Sequence, residues 1–333
     1  MRGAGLEEIA AHLRAAEDVF LFTHEFADGD ALGSMVALVL YLRSMGKEVH
    51  AFVPGKVQSV YRFLETDELL NTLDGQEAAA RIDRSRVTCL SADAADVDRL
   101  GEWKALFLSG AERLVVDHHD TNVGFGDVFA VDENASSCCE VLFQLFGVID
   151  AGLVNAQIAS ALYTGLVSDT GSFQYANTRT KSLIHGAQLI GLGASPDEIS
   201  RSIYESKPFG GLRLMGSCVA SSRLLYGGQA VLGHVTRAML SECGSLDEDT
   251  EGITDELRRI SGTKAVILLK EAADGSVKVS LRGKYGFDVK RVATVFGGGG
   301  HLLAAGCTIE KKLDEAEELV LTEMDRYLGP SRT

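Results

Sequence analysis

No Cys-x-x-Cys pair occurs in this chain, although it carries six cysteines. Cys89, Cys138, Cys139, Cys218, Cys243 and Cys307 therefore read as reduced, mostly buried thiols, which argues against a thiolate zinc site or a disulfide framework. Adjacent Cys138-Cys139 is a poor disulfide candidate. No uninterrupted apolar run reaches the ~18 residues a spanning helix needs. Residues 1–16 lack the apolar core of a secretion signal, so the expectation is a cytoplasmic protein with no membrane partner. Positive charge is also short, with a formal net charge of −15. That balance disfavours a long electrostatic track for duplex or extended single-stranded nucleic acid. A small anionic ligand stays compatible with it, because bound metals and a few arginines reverse the field locally.

What is present suits a globular protein: 46% hydrophobic residues over 333 positions allow one large domain or two ordinary ones. Strand-like runs at 18–22, 48–53, 87–92, 113–117 and 128–131 alternate with helical spacing at 6–16, 31–45, 138–146 and 153–167. That alternation predicts an α/β domain with a doubly wound, mostly parallel sheet covered on both faces. Weaker helical patterns fall at 57–64 and 77–82. Gly33 and Ser34 are expected to let the backbone approach the chemistry at the helix start. From Thr178 the pattern changes to two consecutive helices, 180–192 and 196–204. Lys207-Pro208-Phe209-Gly210-Gly211 punctuates the second half. Beyond it, Gly227-Gly228 and Asp274-Gly275 signal two hairpins, and helices are expected at 289–296 and 313–327. The expected organisation is a catalytic domain at 1–190, a helical linker at 191–215 and a smaller α+β domain at 216–333.

Three of the strand-like runs end beside acids and imidazoles. His24-x-x-x-Asp28-x-Asp30 follows the first, Asp93 the third, and Asp117-His118-His119 the fourth. In open α/β sheets, sites form at the carboxyl ends of strands, so separate runs can feed one crevice. Asp169, in Gly165-x-x-x-Asp169-Thr170-Gly171, is a further acid. Any one of these could be a helix cap or a turn; their coincidence points to metal. Burying so many carboxylates together is prohibitive unless cations neutralise them. Oxygen donors with a minority of imidazoles suit Mn²⁺ or Mg²⁺. The donors are too many for one catalytic ion that keeps open positions, so two ions sharing a bridging aspartate is the economical arrangement. Such a pair activates water and clamps an in-line displacement at phosphorus.

Gly297-Gly298-Gly299-Gly300-His301 follows a helix and precedes a strand, the reverse of a dinucleotide fingerprint. It reads either as a tight loop or as a nest of backbone N–H groups for a phosphate, with His301 as a further donor. Arg282 is the expected bidentate phosphate partner.

The order His-x-x-x-Asp-x-Asp, Asp, Asp-His-His and Gly-x-x-x-Asp-Thr-Gly resembles the DHH phosphoesterase superfamily. Phe296 to His301, followed by Ala304-Ala305-Gly306, resembles that family's associated C-terminal domain. Length and domain pair are most similar to the oligoribonuclease/pAp-phosphatase (nanoRNase) branch. The resemblance implies one metal on His24, Asp28 and Asp93, and a second on Asp30, Asp93, His118 and Asp169. It implies that His119 faces the substrate phosphate and that Asp117 orients the histidines. It also implies Mn²⁺-dependent hydrolysis of short RNA or linear dinucleotides to mononucleotides, and dephosphorylation of 3′-phosphoadenosine 5′-phosphate (pAp). Oligomeric state is left between monomer and homodimer. Phe26-Ala27 stands where members usually have Asn-Pro, and Gly283 stands where serine usually follows the arginine. A cyclic-dinucleotide phosphodiesterase and a single-strand exonuclease are the enzymatic rivals. A nucleotide-binding regulator with a dead site is the rival from another class.

Overall fold

The computed structural model describes residues 2–3, 5–71, 73, 77 and 86–330. The helical pattern expected at 77–82 lies outside them, Glu77 excepted. The chain divides into two compact units, Met1–Ser206 and Lys207–Thr333.

The first unit is built on a six-stranded sheet. Its strands are β1 (Arg2–Gly3), β2 (Asp18–Phe22), β3 (Glu48–Phe52), β4 (Thr88–Ala92), β5 (Glu112–Asp117) and β6 (Val128–Val131), in the spatial order β1-β6-β5-β4-β2-β3. All neighbours run parallel except β1 on β6. Alternation along β2 sends Val19 and Leu21 to one core and Phe20 and Phe22 to another, as a period of two requires. The Val19 core holds the Gly29–Ser44, Cys138–Asp150 and Ala156–Asp169 helices. The Phe20 core is aromatic, with Phe52 stacked on Phe22 and Phe107 meeting it edge to face.

The Gly29–Ser44 helix is buried over almost its whole length. Its apolar residues run all round, so no face is left for water. Gly33 serves its crossing with the Ala156–Asp169 helix: a Cβ there would lie 2.5 Å from the Ala161 carbonyl oxygen. Gly33 therefore admits a neighbouring helix rather than the site, and Ser34 Oγ lies 3.3 Å from Cys139 Sγ. The glycine that brings backbone close to an acid is Gly165, where a Cβ would sit 2.5 Å from Asp30 Oδ1.

The second unit carries β7 (Arg223–Leu225), β8 (Ala230–Val235), β9 (Ala265–Glu271), β10 (Val277–Gly283), β11 (Gly299–His301) and β12 (Ala304–Ile309), ordered β11-β12-β10-β9-β8-β7. The pairing is antiparallel except between β8 and β9. Both expected hairpins are present. The Lys290–Val295 and Leu313–Leu328 helices are present as well.

The stretch 191–215, read as a linker, is shared between the units. The Pro196–Tyr204 helix belongs to the first, and the Phe209–Ser221 helix begins the second. That second helix was hidden by Gly210-Gly211, which look like punctuation. In the structure they occupy its first turn, because a Cβ on Gly210 would meet the Gly244 carbonyl oxygen at 2.7 Å. The strand leading into the Gly227-Gly228 turn is accordingly short, Arg223–Leu225 alone. No described helix is long and apolar enough to cross a membrane.

Candidate metal centre

Strands β5, β4 and β2 are neighbours in the sheet, so the loops leaving their carboxyl ends converge. His24 lies two residues past β2, Asp93 directly follows β4, and His118 and His119 follow β5. Asp28 caps the Gly29–Ser44 helix, its Oδ1 accepting the N–H of Asp30 at 3.0 Å and of Ala31 at 3.2 Å. Asp30 sits in the first turn of that helix, and Asp169 ends the Ala156–Asp169 helix.

All eight first-unit residues singled out in the sequence come together, in three overlapping groups. One is His24, Asp28 and Asp93; another is Asp30, His118 and Asp169; the third is Asp93, Asp117, His118 and His119. Within each group the candidate donor atoms lie within 4.8 Å of one another. His118 Nε2 stands 3.8 Å from Asp30 Oδ2 and 3.5 Å from both Asp93 Oδ1 and Asp169 Oδ2. His24 Nε2 is 3.6 Å from Asp93 Oδ2. These separations are too long for good hydrogen bonds. They approach the roughly 3 to 3.5 Å between two donors that share one ion at about 2.1 Å.

A further observation tests the fit. Asp93 is 2% exposed, and its Oδ1 is buried without a hydrogen-bond partner among the described residues. Asp93 also holds a left-handed backbone, φ 59°, a strained choice of the kind that clusters at functional sites. A buried, unbonded carboxylate oxygen facing imidazoles and other carboxylates suits a hard cation.

The electrostatics agree. Burial pushes Asp30 well above the usual carboxylate range, with Asp93 and Asp169 adding to it. Burial also raises Asp28 and takes Asp169 up to about 7, Asp93 adding and His118 opposing. Burial pulls His24 down, but Asp93 and Asp28 outweigh it and raise the imidazole to about 9. His118 is raised well above its ordinary value in the same way, with Asp93 the main counterweight to burial. Asp93 is the exception: contacts with His118 and His24 overcome burial and hold it below the usual range.

Three supports were not read from the sequence. Asp30 Oδ2 accepts the Cys138 N–H at 2.6 Å and Oδ1 the Cys139 N–H at 2.9 Å. The N-terminus of a 13-residue helix thus faces Asp30 and favours its charged form. Asn122 Nδ2 donates to Asp117 Oδ2 at 2.7 Å and to the Ala94 carbonyl at 2.9 Å, tying the Asp117 loop to the residue after Asp93. Asp117 Oδ1 also accepts the His118 N–H and pairs with His119 Nδ1, both at 2.8 Å. Finally, Asn177 Nδ2 joins the carbonyls of Ser136 and Asp169 at 3.0 Å each. Ser136 in turn donates to buried Glu140, which His185 and Ser182 complete. Only Asn122 left a sequence signal, a polar residue in the loop after Asp117.

The remaining residues singled out belong to the second unit. Register places Arg282 opposite Ala304, and Ala304 opposite His301, so the arginine and the glycine hairpin share one cross-strand row. Among the described residues the Arg282 guanidinium makes no ion pair, and its hydrogen bond goes to the Leu281 carbonyl at 3.3 Å. The glycine run has local reasons. Gly297 has φ 74°, and a Cβ on Gly298 or Gly300 would meet a β12 carbonyl oxygen at 2.1 or 2.4 Å. Gly299 has open space around it.

Residues 18–166 match the DHH family, N-terminal domain, and residues 241–329 match the DHHA1 domain. The chain belongs to the DHH family and is a phosphoester hydrolase. It is 30% identical over 316 residues to the bifunctional oligoribonuclease and PAP phosphatase NrnA of Thermus thermophilus, covering 94% of this chain and 91% of that one. It is 29% identical over 317 residues to the protein of the same name from Bacillus subtilis, covering 94% and 96%. The branch expected from the sequence is thus the branch of these relatives. The fold is that of an exopolyphosphatase-related protein from Bacteroides fragilis, with TM-score 0.91 at 24% identity over 97% of this chain and 96% of that one.

Proposed function

We propose that this chain is a cytoplasmic phosphoesterase that hydrolyses short oligoribonucleotides and linear dinucleotides to mononucleotides and also dephosphorylates pAp. Two divalent ions, Mn²⁺ in the first instance, are its cofactors. The observation that carries the reading is Asp93, whose carboxylate belongs to two of the three donor groups and has one buried, unbonded oxygen. His24, Asp28 and Asp93 would hold one ion, and Asp30, Asp93, His118 and Asp169 the other. Bound there, such ions supply a water of lowered pKa and positive charge for the phosphoryl transition state.

The protein's own groups do the rest. Asp117, fixed by Asn122, holds the His119 ring through Nδ1, so that Nε2 would face the substrate phosphate. Burial lowers His119, but Asp117 outweighs it and raises the imidazole, so His119 can donate a proton or a hydrogen bond near neutral pH. Arg282, Gly297, Gly298, Gly299, Gly300 and His301 are assigned to gripping a terminal nucleotide. The shared row, and a guanidinium that makes no ion pair among the described residues, support that assignment. The short-RNA and pAp substrates are supported by the names of the relatives at 30% and 29% identity.

A substrate panel with Mn²⁺ tests the reading: RNAs of two to about five nucleotides, long RNA, pAp, cyclic dinucleotides and pyrophosphate. Linear dinucleotides are expected to turn over fastest, with pAp also hydrolysed. Faster cleavage of long strands, cyclic dinucleotides or pyrophosphate would overturn it.

A further inference from the structure

Two described residues combine a large exposed hydrophobic side chain with a left-handed backbone: Phe26, 84% exposed at φ 61°, and Tyr285, 78% exposed at φ 54°. Single exposed apolar residues are ordinary, and so is a positive φ at a glycine. An aromatic side chain held outward by a backbone that bulky residues rarely adopt is neither.

Their positions are not scattered. Phe26 stands midway between His24 and Asp28, two members of one donor group. The chain around it is pinned. The Glu25 N–H donates to the Arg99 carbonyl at 2.8 Å, and the Glu25 carbonyl lies 2.7 Å from His24 Nδ1. Ala27 is buried, and Asp28 accepts two helix N–H groups. The ring is therefore carried into solvent by a fixed frame. Tyr285 lies three residues past Arg282, in the turn that follows β10. That turn is fixed too: Gly283 N–H donates to the Leu303 carbonyl at 2.7 Å, Lys284 N–H to the Lys264 carbonyl at 2.8 Å, and Phe287 N–H to the Lys284 carbonyl at 3.0 Å. Lys284 Nζ approaches the Tyr285 ring at 5.5 Å from its centroid.

We propose that Phe26 and Tyr285 are base-stacking platforms, each taking a nucleobase beside a phosphate-binding group of its own unit. The proposal deepens the function above and rests on that reading for the identity of the ligand. A π face suits this task because every base has one, so a ligand is held without a demand for sequence. A backbone fixed in advance saves the cost of ordering the ring on binding.

The test uses the full chain loaded with Mn²⁺, with wild type, Phe26→Ala, Phe26→Asn, Phe26→Trp, Tyr285→Ala and Tyr285→Trp. Asparagine tolerates the left-handed backbone, so Phe26→Asn separates loss of the ring from strain. KM and kcat are measured on diadenylate and on two analogues, each with one nucleotide abasic. Phe26→Ala, Phe26→Asn and Tyr285→Ala are each expected to raise KM for diadenylate by roughly tenfold or more, within the range base–aromatic stacking supplies. Each tryptophan should restore it, with kcat little changed. Phe26 variants and Tyr285→Ala should each lose their effect on at least one abasic analogue. Equal increases on all three substrates, or no increase in either alanine variant, would overturn the proposal. Calorimetry of adenosine 5′-monophosphate against ribose 5-phosphate provides a readout independent of turnover. Wild type should prefer the nucleotide, and at least one alanine variant should lose that preference. Base preference that responds to the platforms in a protein inactive on dinucleotides keeps the platforms and removes the assigned substrate. Normal turnover with unresponsive base preference does the reverse.

Discussion

Asp93→Ala is expected to lower kcat/KM on a linear dinucleotide by roughly 10³-fold or more, while the chain stays folded. Loss of a single preorganised stabilising group commonly costs about 10² to 10³. Asp93 completes the group of His24 and Asp28, and its Oδ1 lies 3.5 Å from His118 Nε2, a member of the group of Asp30 and Asp169, so its removal is expected to affect both proposed ions. Folding should survive because Asp93 Oδ1 accepts no hydrogen bond that would be lost. Deleting a buried charge beside Asp28 and Asp30, both raised by its presence, also relieves repulsion in the cation-free chain. The opposing costs are the lost contacts with His118 and His24, which hold the Asp93 carboxyl below the usual range, and the left-handed backbone, φ 59°, which alanine tolerates less well than aspartate by about 1 kcal/mol. Asp93→Asn avoids that cost and should be equally inactive. Steady-state kinetics with a thermal melt separate the two effects. Activity retained within about tenfold would contradict the assigned role, and a chain that fails to fold would contradict the accounting.

Removing the metal should reverse how stability depends on pH. In the cation-free chain burial raises Asp169 to about 7, and acidic neighbours outweigh burial to raise His24 to about 9. Both values lie above those of the unfolded chain, so the folded state holds the extra protons and its stability falls as pH rises. For Asp169 the cost grows from the ordinary carboxylate value, near 3.8, and is complete above about 7. For His24 the stabilisation is full below 6.5 and is lost as pH passes about 9. A cation requires the same groups deprotonated, so its binding releases protons and tightens through the same window. The expected result is a Tm in chelator that declines from about pH 6 to 8.5, with a Mn²⁺-induced increase that grows over that range. Calorimetry at each pH, with chelator or saturating Mn²⁺, checks both signs. An increase from Mn²⁺ that is constant with pH, or a Tm in chelator that rises, would show that these residues do not take the ions.

Much of the site was legible because its residues are local markers. A buried run followed at once by an acid or an imidazole announces a strand's carboxyl end, and Asp93, Asp117 and His24 all obey that rule. The support beneath them was not legible. Asp30 is held by the backbone N–H groups of Cys138 and Cys139, and a backbone donor leaves no trace in residue type. The link from Asp169 through Asn177 and Ser136 to Glu140 joins segments far apart in sequence. In the fold, alternation of strand and helix gave the parallel sheet, and Gly-Gly or Asp-Gly gave the hairpins. The two-residue strand Arg2–Gly3 and the short Arg237–Cys243 and Ile253–Arg258 helices carry too little periodicity to stand out. Gly210-Gly211 misled for a physical reason. Glycine marks close approach as well as chain breaks, and there it admits the Gly244 carbonyl beside a continuing helix.

The most direct measurement is anomalous diffraction from a crystal of this protein soaked in Mn²⁺. Two peaks are expected, one touching His24, Asp28 and Asp93 and the other Asp30, Asp93, His118 and Asp169, with the Asp93 carboxylate reaching both. No peak at saturating Mn²⁺, or peaks that leave Asp93 uncoordinated, would contradict it.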